Sequence, residues 1–172
     1  MRSVLGLAAL VVGLAAPAQA DEALLAAHRG AADACWASVL GQPERVEGCS
    51  DLVFEACSAT PDGQSNLGMS HCLYAEADFW DEKLNAEWQR LIPLVRETDA
   101  VDAAFGPEYA VREDKLRAAQ RAWIAFRDAQ CAFDYAIPGG GSLRQLYYPG
   151  CLADLTRERV ADLLSIGMEF GR

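Results

Sequence analysis

Between positions 116 and 131, five residues recur at steps of three and four: Leu116, Gln120, Trp123, Arg127 and Cys131. That spacing places them on one face of a helix. The face carries a leucine, a tryptophan and a cysteine, so it is the face to be buried. It also carries an arginine, and an unpaired charge in such a setting is costly. The fold must therefore bring a carboxylate to this helix from elsewhere in the chain.

Two more stripes answer that demand. Leu73, Ala77, Trp80, Leu84, Trp88, Leu91 and Val95 form one, with Asp81 inside it and Asn85 at its border. Leu152, Leu155, Arg159, Leu163 and Ile166 form the other, with Arg159 in its middle. The economical arrangement is a buried polar cluster of Asp81, Asn85, Gln120, Arg127 and Arg159. In it the guanidinium groups bond the Asp81 carboxylate, and the two amides fill the remaining valences. Such networks orient packed helices, and an active site is the alternative use of the same groups.

The remaining punctuation gives the element order. Residues 22–40 and 49–57 read as short helical pieces around the turn Gly41-Gln42-Pro43, and residues 60–66 are turn chemistry. A long helix follows from about Ser70, with Pro93 expected to kink or end it near Ile92. A loop is expected over 98–106. Pro107 opens a second long helix that runs to about Tyr135. Residues 137–142 break it, and residues 143–150 read as irregular. A last helix spans about 151–166 and stops at Gly167. No alternating strand or internal repeat is found. The expected class is all-α: a small helical bundle with two long antiparallel helices plus a C-terminal helix, stapled by disulfides.

Residues 1–20 have the grammar of an export signal: Met1-Arg2, an apolar run over 4–16, and the small-x-small exit Ala18-Gln19-Ala20. The run is short for a membrane span, which is the competing reading. Cleavage near Ala20 predicts a periplasmic or secreted protein, with no membrane span in the mature chain. The rest divides into an extension, 21–56, and a helical domain, 57–172.

All six cysteines follow the leader: Cys35, Cys49, Cys57, Cys72, Cys131 and Cys151. An even number in an exported chain reads as three disulfides. Pairing neighbours gives Cys35–Cys49, Cys57–Cys72 and Cys131–Cys151, one of the fifteen possible connectivities. The last would clamp the glycine-rich loop between two helices. The rival reading, a metal site, lacks a Cys-x-x-Cys or any defensible zinc spacing. No metal or other cofactor is expected.

The formal net charge of −10 argues against nucleic-acid partners and anionic membrane surfaces. Only His28 and His71 are present, and neither has a placed nucleophile and orienting acid. No pair among the 25 acidic residues stands out as glycosidase-like. A non-enzymatic, monomeric binding protein is the expectation. Its candidate partner-binding loop, residues 138–150, presents Ser142, Arg144, Tyr147 and Tyr148, since arginine and tyrosine are common interface anchors. The bland alternative is that the tyrosines pack on the helices.

The same residues carry a family likeness. Asp81-x-x-Leu84-Asn85-x-x-Trp88, then Leu116-x-x-x-Gln120-Arg121-x-Trp123-x-x-x-Arg127-x-x-x-Cys131, then Cys151-x-x-x-x-Thr156-x-x-Arg159, resemble the motifs of the lysozyme inhibitor LprI-like family. Trp88 stands where the family pattern has tyrosine. The likeness covers about 57–164 and leaves out the segment with Cys35 and Cys49. It implies a small, exported, helical, disulfide-bonded protein that binds a lysozyme or another periplasmic or cell-wall partner. The alternative is an envelope-associated structural or partner-binding protein without lysozyme inhibition. The named activity belongs to a lipoprotein member, and no lipobox cysteine is present here.

Overall fold

The computed structural model describes residues 18–171, with side chains from Glu22 onward. The leader expected over 1–20 therefore lies outside the described residues, except for the backbone of its last three. Six α-helices follow in order: α1 Ala18–His28, α2 Gly30–Val39, α3 Leu52–Ser58, α4 Asn66–Asp102, α5 Arg112–Ala136 and α6 Arg144–Phe170. Short 3₁₀ segments cover Pro43–Cys49, Asp62–Gln64 and Pro107–Tyr109. There is no strand among the described residues, and the fold is all-α.

Helix α4 is the spine. It starts earlier than its apolar stripe does, because Ser65 caps it: the Gly68 amide donates to Ser65 Oγ at 3.0 Å. Contrary to expectation, α4 runs through Pro93 to Asp102. A proline inside a helix costs about 3 kcal/mol. Leu91, Ile92 and Val95 are buried on either side of it, and that packing outweighs the lost hydrogen bond.

Specific contacts set the helix directions. Near the start of both helices, Ser70 on α4 meets Gln145 on α6; at the other end, Arg90 lies across Gly167. Helices α4 and α6 therefore run parallel. Helix α5 runs antiparallel to α4, with Arg112 bonded to Asp99 and Arg127 facing Asp81. Most of the core lies between α4 and α6, where Leu91, Val95, Val160 and Leu163 are almost fully buried. Residues 22–56 wrap the first half of α4 and join the same core through Leu25, Val39, Val46 and Val53. Trp36 meets Trp80 edge-on at 6.3 Å, and Arg157 on α6 pairs with Glu47 in the first 3₁₀ turn.

Two corrections concern α6. Residues 143–150 are its first turns, not an irregular loop. Pro149 lacks the N–H that would bond the Gln145 carbonyl one turn earlier, and Ser70 Oγ donates to that carbonyl instead, at 2.9 Å. A hydroxyl from α4 thus closes the gap that proline opens. At the other end, α6 does not stop at Gly167 but continues to Phe170. Gly167 is buried inside the helix, and the Arg90 guanidinium rests where its β-carbon would lie.

The disulfides are Cys35–Cys49, Cys57–Cys72 and Cys131–Cys151, the neighbour pairing. They tie α2 to the first 3₁₀ turn, α3 to α4, and α5 to α6. One turn beyond Cys72, Glu76 makes a second attachment of α3. Its carboxylate accepts from the Val53 and Phe54 amides, at 2.8 and 3.1 Å, and from Trp80 Nε1 at 2.7 Å. It thus serves the orphan donors at the start of α3 in place of a local cap. Burial pushes the Glu76 carboxyl above the usual carboxylate range, although these three donors pull it the other way.

Candidate functional site

The charged groups singled out in the three stripes do come together, but not as a buried cluster. Of the five, only Gln120 is buried. Asp81 and Asn85 are exposed, and the Asp81 side chain retains 53% of its accessible surface. Asp81 Oδ1 and Arg127 Nη1 stand 3.8 Å apart, too far for a hydrogen bond. The physical reason is where α5 sits: it leans chiefly on α6 and only lightly on α4. The interface expected to close over these side chains is instead a wedge that opens outward.

Each side chain in the wedge has its own restraint. Asn85 Nδ2 donates to Asp81 Oδ2 at 2.9 Å and fixes the carboxylate. Arg127 bonds its neighbour Asp128 and reaches the buried Thr156 hydroxyl at 3.4 Å. Arg159 donates to Gln120 Oε1 at 3.0 Å. Trp123 receives both guanidinium groups, with Arg127 5.2 Å and Arg159 5.8 Å from the ring centroid. The expected hydrogen bonding of the guanidinium groups to Asp81 is not formed. Aromatic contact and amide oxygens take its place.

The wedge is an open cleft of about 250 Å³ between α4 and α5. Asp81, Leu84, Asn85 and Trp88 line it from α4; Arg117, Gln120, Arg121, Ile124 and Arg127 line it from α5. Arg117 lies 5.9 Å from the Trp88 ring centroid and is held by Glu113. Hydrogen bonds from Arg96 and then Arg117 hold the Glu113 carboxyl down at about 2. Arg121 is exposed, and no hydrogen bond or ion pair engages it among the described residues. The sequence reading missed Arg117, Arg121 and Ile124 as site residues. Their signal was present: positions 117, 121 and 124 follow the helical repeat beside the buried stripe.

The expected partner-binding residues lie at the opposite end of α5. Ser142 accepts from Asn66 Nδ2 at 3.0 Å, which ties the connection between α5 and α6 to the start of α4. The Arg144 guanidinium stacks on Tyr135 at 4.1 Å, and Tyr148 meets the same ring edge-on at 6.5 Å. Tyr147 remains 43% exposed, and Leu143 and Ile137 are also exposed. Among the described residues, no group of three or more His, Cys, Asp or Glu side chains is placed to hold a metal ion. No helix among them is long and apolar enough to cross a membrane.

Fold and cleft together define a small, disulfide-stapled helical protein whose polar residues collect where one helix stands off the core. The chain belongs to the lysozyme inhibitor LprI family, whose profile matches residues 57–163. The match takes in α4, α5, most of α6 and every residue of the cleft. Over 99 residues the chain is 33% identical to an uncharacterized protein of Rhizobium meliloti (strain 1021), covering 58% of this chain and 71% of that protein. No solved structure matches.

Proposed function

We propose that this is an exported, non-enzymatic binding protein that inhibits a lysozyme by occluding its cleft. Membership of the lysozyme inhibitor LprI family carries the reading, since the matched segment is the α4–α5–α6 unit itself. Three disulfides suit an oxidising compartment, and the leader grammar of residues 1–20 suits export. The contact end is the turn between α5 and α6. Tyr147, Leu143 and Ile137 are exposed apolar side chains in this stretch, which also carries Ser142 and Arg144. The acidic body steers the protein towards a basic lysozyme, so complex formation weakens with salt.

The test is a titration of the purified, oxidised protein against several lysozymes, following lysis of a cell-wall substrate. Inhibition that saturates near one-to-one supports the reading, and Arg144→Glu and Tyr147→Ala then abolish or weaken it. No effect at large excess on any lysozyme overturns it. Retention by purified cell wall without inhibition assigns the protein to envelope association instead.

A further inference from the structure

We infer that the α4–α5 cleft is a saccharide-binding site that takes one pyranose ring carrying an acidic substituent. This goes beyond inhibition: it assigns a ligand to a surface distinct from the α5–α6 turn. The chemistry of a polyol is what the cleft matches. A sugar hydroxyl is at once donor and acceptor, so it is recognised by an acceptor and a donor set side by side. Asp81 Oδ1 and Arg127 Nη1 are such a pair, an ion pair 3.8 Å apart with no direct hydrogen bond between them. An oxygen seated above both lies within about 2.8 Å of each, the ordinary length for such bonds. Asn85 holds the carboxylate by its other oxygen, and Thr156 and Asp128 hold the guanidinium, so the pair is preorganised.

The walls fit the rest of a ring. Trp88, Leu84 and Ile124 supply apolar surface for its C–H groups, within a cleft of about 250 Å³ that suits one residue rather than an extended chain. Arg121 supplies the preference for an acid. It lines the cleft and no side chain engages its guanidinium among the described residues, whereas Arg117 is committed to Glu113. A carboxylate on the ring meets an uncommitted fork of donors.

The probes are N-acetylglucosamine and N-acetylmuramic acid, which share the amino-sugar ring and differ by a carboxylate-bearing ether. Binding is followed by two-dimensional NMR of the oxidised protein, with the Trp88 indole signal assigned through Trp88→Phe. Both sugars shift the Trp88 indole and the Gln120 amide, and the acid binds about tenfold more tightly, the value of one charge-assisted contact. Arg121→Ala abolishes that advantage and leaves the neutral sugar unaffected. Asp81→Asn weakens both. Asp81 and Arg121 are exposed, so these two variants fold, and Trp88→Phe keeps an aromatic ring at a partly buried position. No shift at millimolar sugar, shifts confined to other surfaces, or an acid preference that survives Arg121→Ala overturns the assignment. Lysozyme inhibition and sugar binding measured on the unmutated protein separate the readings. Intact inhibition without sugar binding removes the saccharide site alone. Sugar binding without inhibition removes the inhibitor reading alone.

Discussion

Glu76 is the residue whose removal tests this fold most sharply. Its carboxylate is 1% exposed and receives three N–H donors, two from the start of α3 and one from the Trp80 indole. Glu76→Ala strands all three. A buried donor without a partner costs about 1–3 kcal/mol, and the Phe54 amide, being only part-buried, recovers water. Deleting the side chain also leaves a void, but it relieves the desolvation of a carboxylate. Together these give a loss of about 3–4 kcal/mol, or roughly 10 °C in Tm for a chain of this size. Glu76→Gln keeps the shape but turns an NH2 towards either the α3 amides or the indole, a donor facing a donor, and costs about 2 kcal/mol. The sign of the pH effect also follows. Burial raises the folded-state carboxyl above its unfolded value of 4.5, so the folded protein holds the proton longer. Wild-type stability therefore falls as pH rises through that window, and the deficit of Glu76→Gln is smaller at pH 8 than at pH 5. Chemical denaturation under oxidising conditions measures all three quantities. A Glu76→Ala variant within about 0.5 kcal/mol of wild type would refute the attachment of α3 through this carboxylate.

Two further outcomes follow from the same structure. Glu113 is held at about 2 by Arg96 and Arg117, against 4.5 unfolded, so its stabilising contribution is complete above pH 4.5 and disappears as pH falls towards 2. Glu113→Gln flattens the acid limb of a Tm–pH profile, and an unchanged slope would show that these arginines do not act on it. Replacing Cys131 and Cys151 together by alanine opens a 20-residue closure and costs about 3 kcal/mol. Hydrogen exchange then rises in the second half of α5 before α4 or α6, and uniform exchange across all three helices would contradict the accessory position of α5.

The helices themselves were legible because their stripes repeat at 3.6 residues, and cysteine spacing led to the neighbour pairing that the structure contains. What was not legible is instructive in its causes. Pro93 reads as a kink or a stop and residues 143–150 as irregular, yet Pro93 and Pro149 both lie inside helices. At Pro149 the compensation is a hydroxyl 79 positions away, at Ser70, and no local pattern announces it. Gly167 reads as a stop because a glycine after an apolar stripe usually is one, but here it makes room for Arg90. Glu76 escaped notice although it lies one turn from both Cys72 and Trp80, since a lone glutamate on a stripe is indistinguishable from a boundary residue until α3 is placed. Asp81, Asn85, Gln120, Arg127 and Arg159 were grouped by face as a buried cluster, whereas Asp81 and Asn85 are exposed. Whether such a face closes depends on how far apart the helix axes stand, which periodicity does not encode.

That separation connects the fold to the site. Helix α5 contributes only Gln120 and Cys131 to the buried set, while α4 and α6 supply most of the rest. It is held by one disulfide, by Arg112 bridging Asp99 and Asp102, by Arg127 reaching Thr156 on α6, and by Arg159 of α6 over the Trp123 ring. These are end-on and polar attachments that do not require the α4 and α5 faces to meet. Had Arg127 or Asp81 been leucine, the two faces would gain by closing, and the cleft would fill with side chains. Charged residues in the stripes keep the gap wet, and the disulfide and ion pairs keep it from widening. The arrangement that makes these positions poor core residues is the one that leaves a preorganised polar cleft on an otherwise packed bundle.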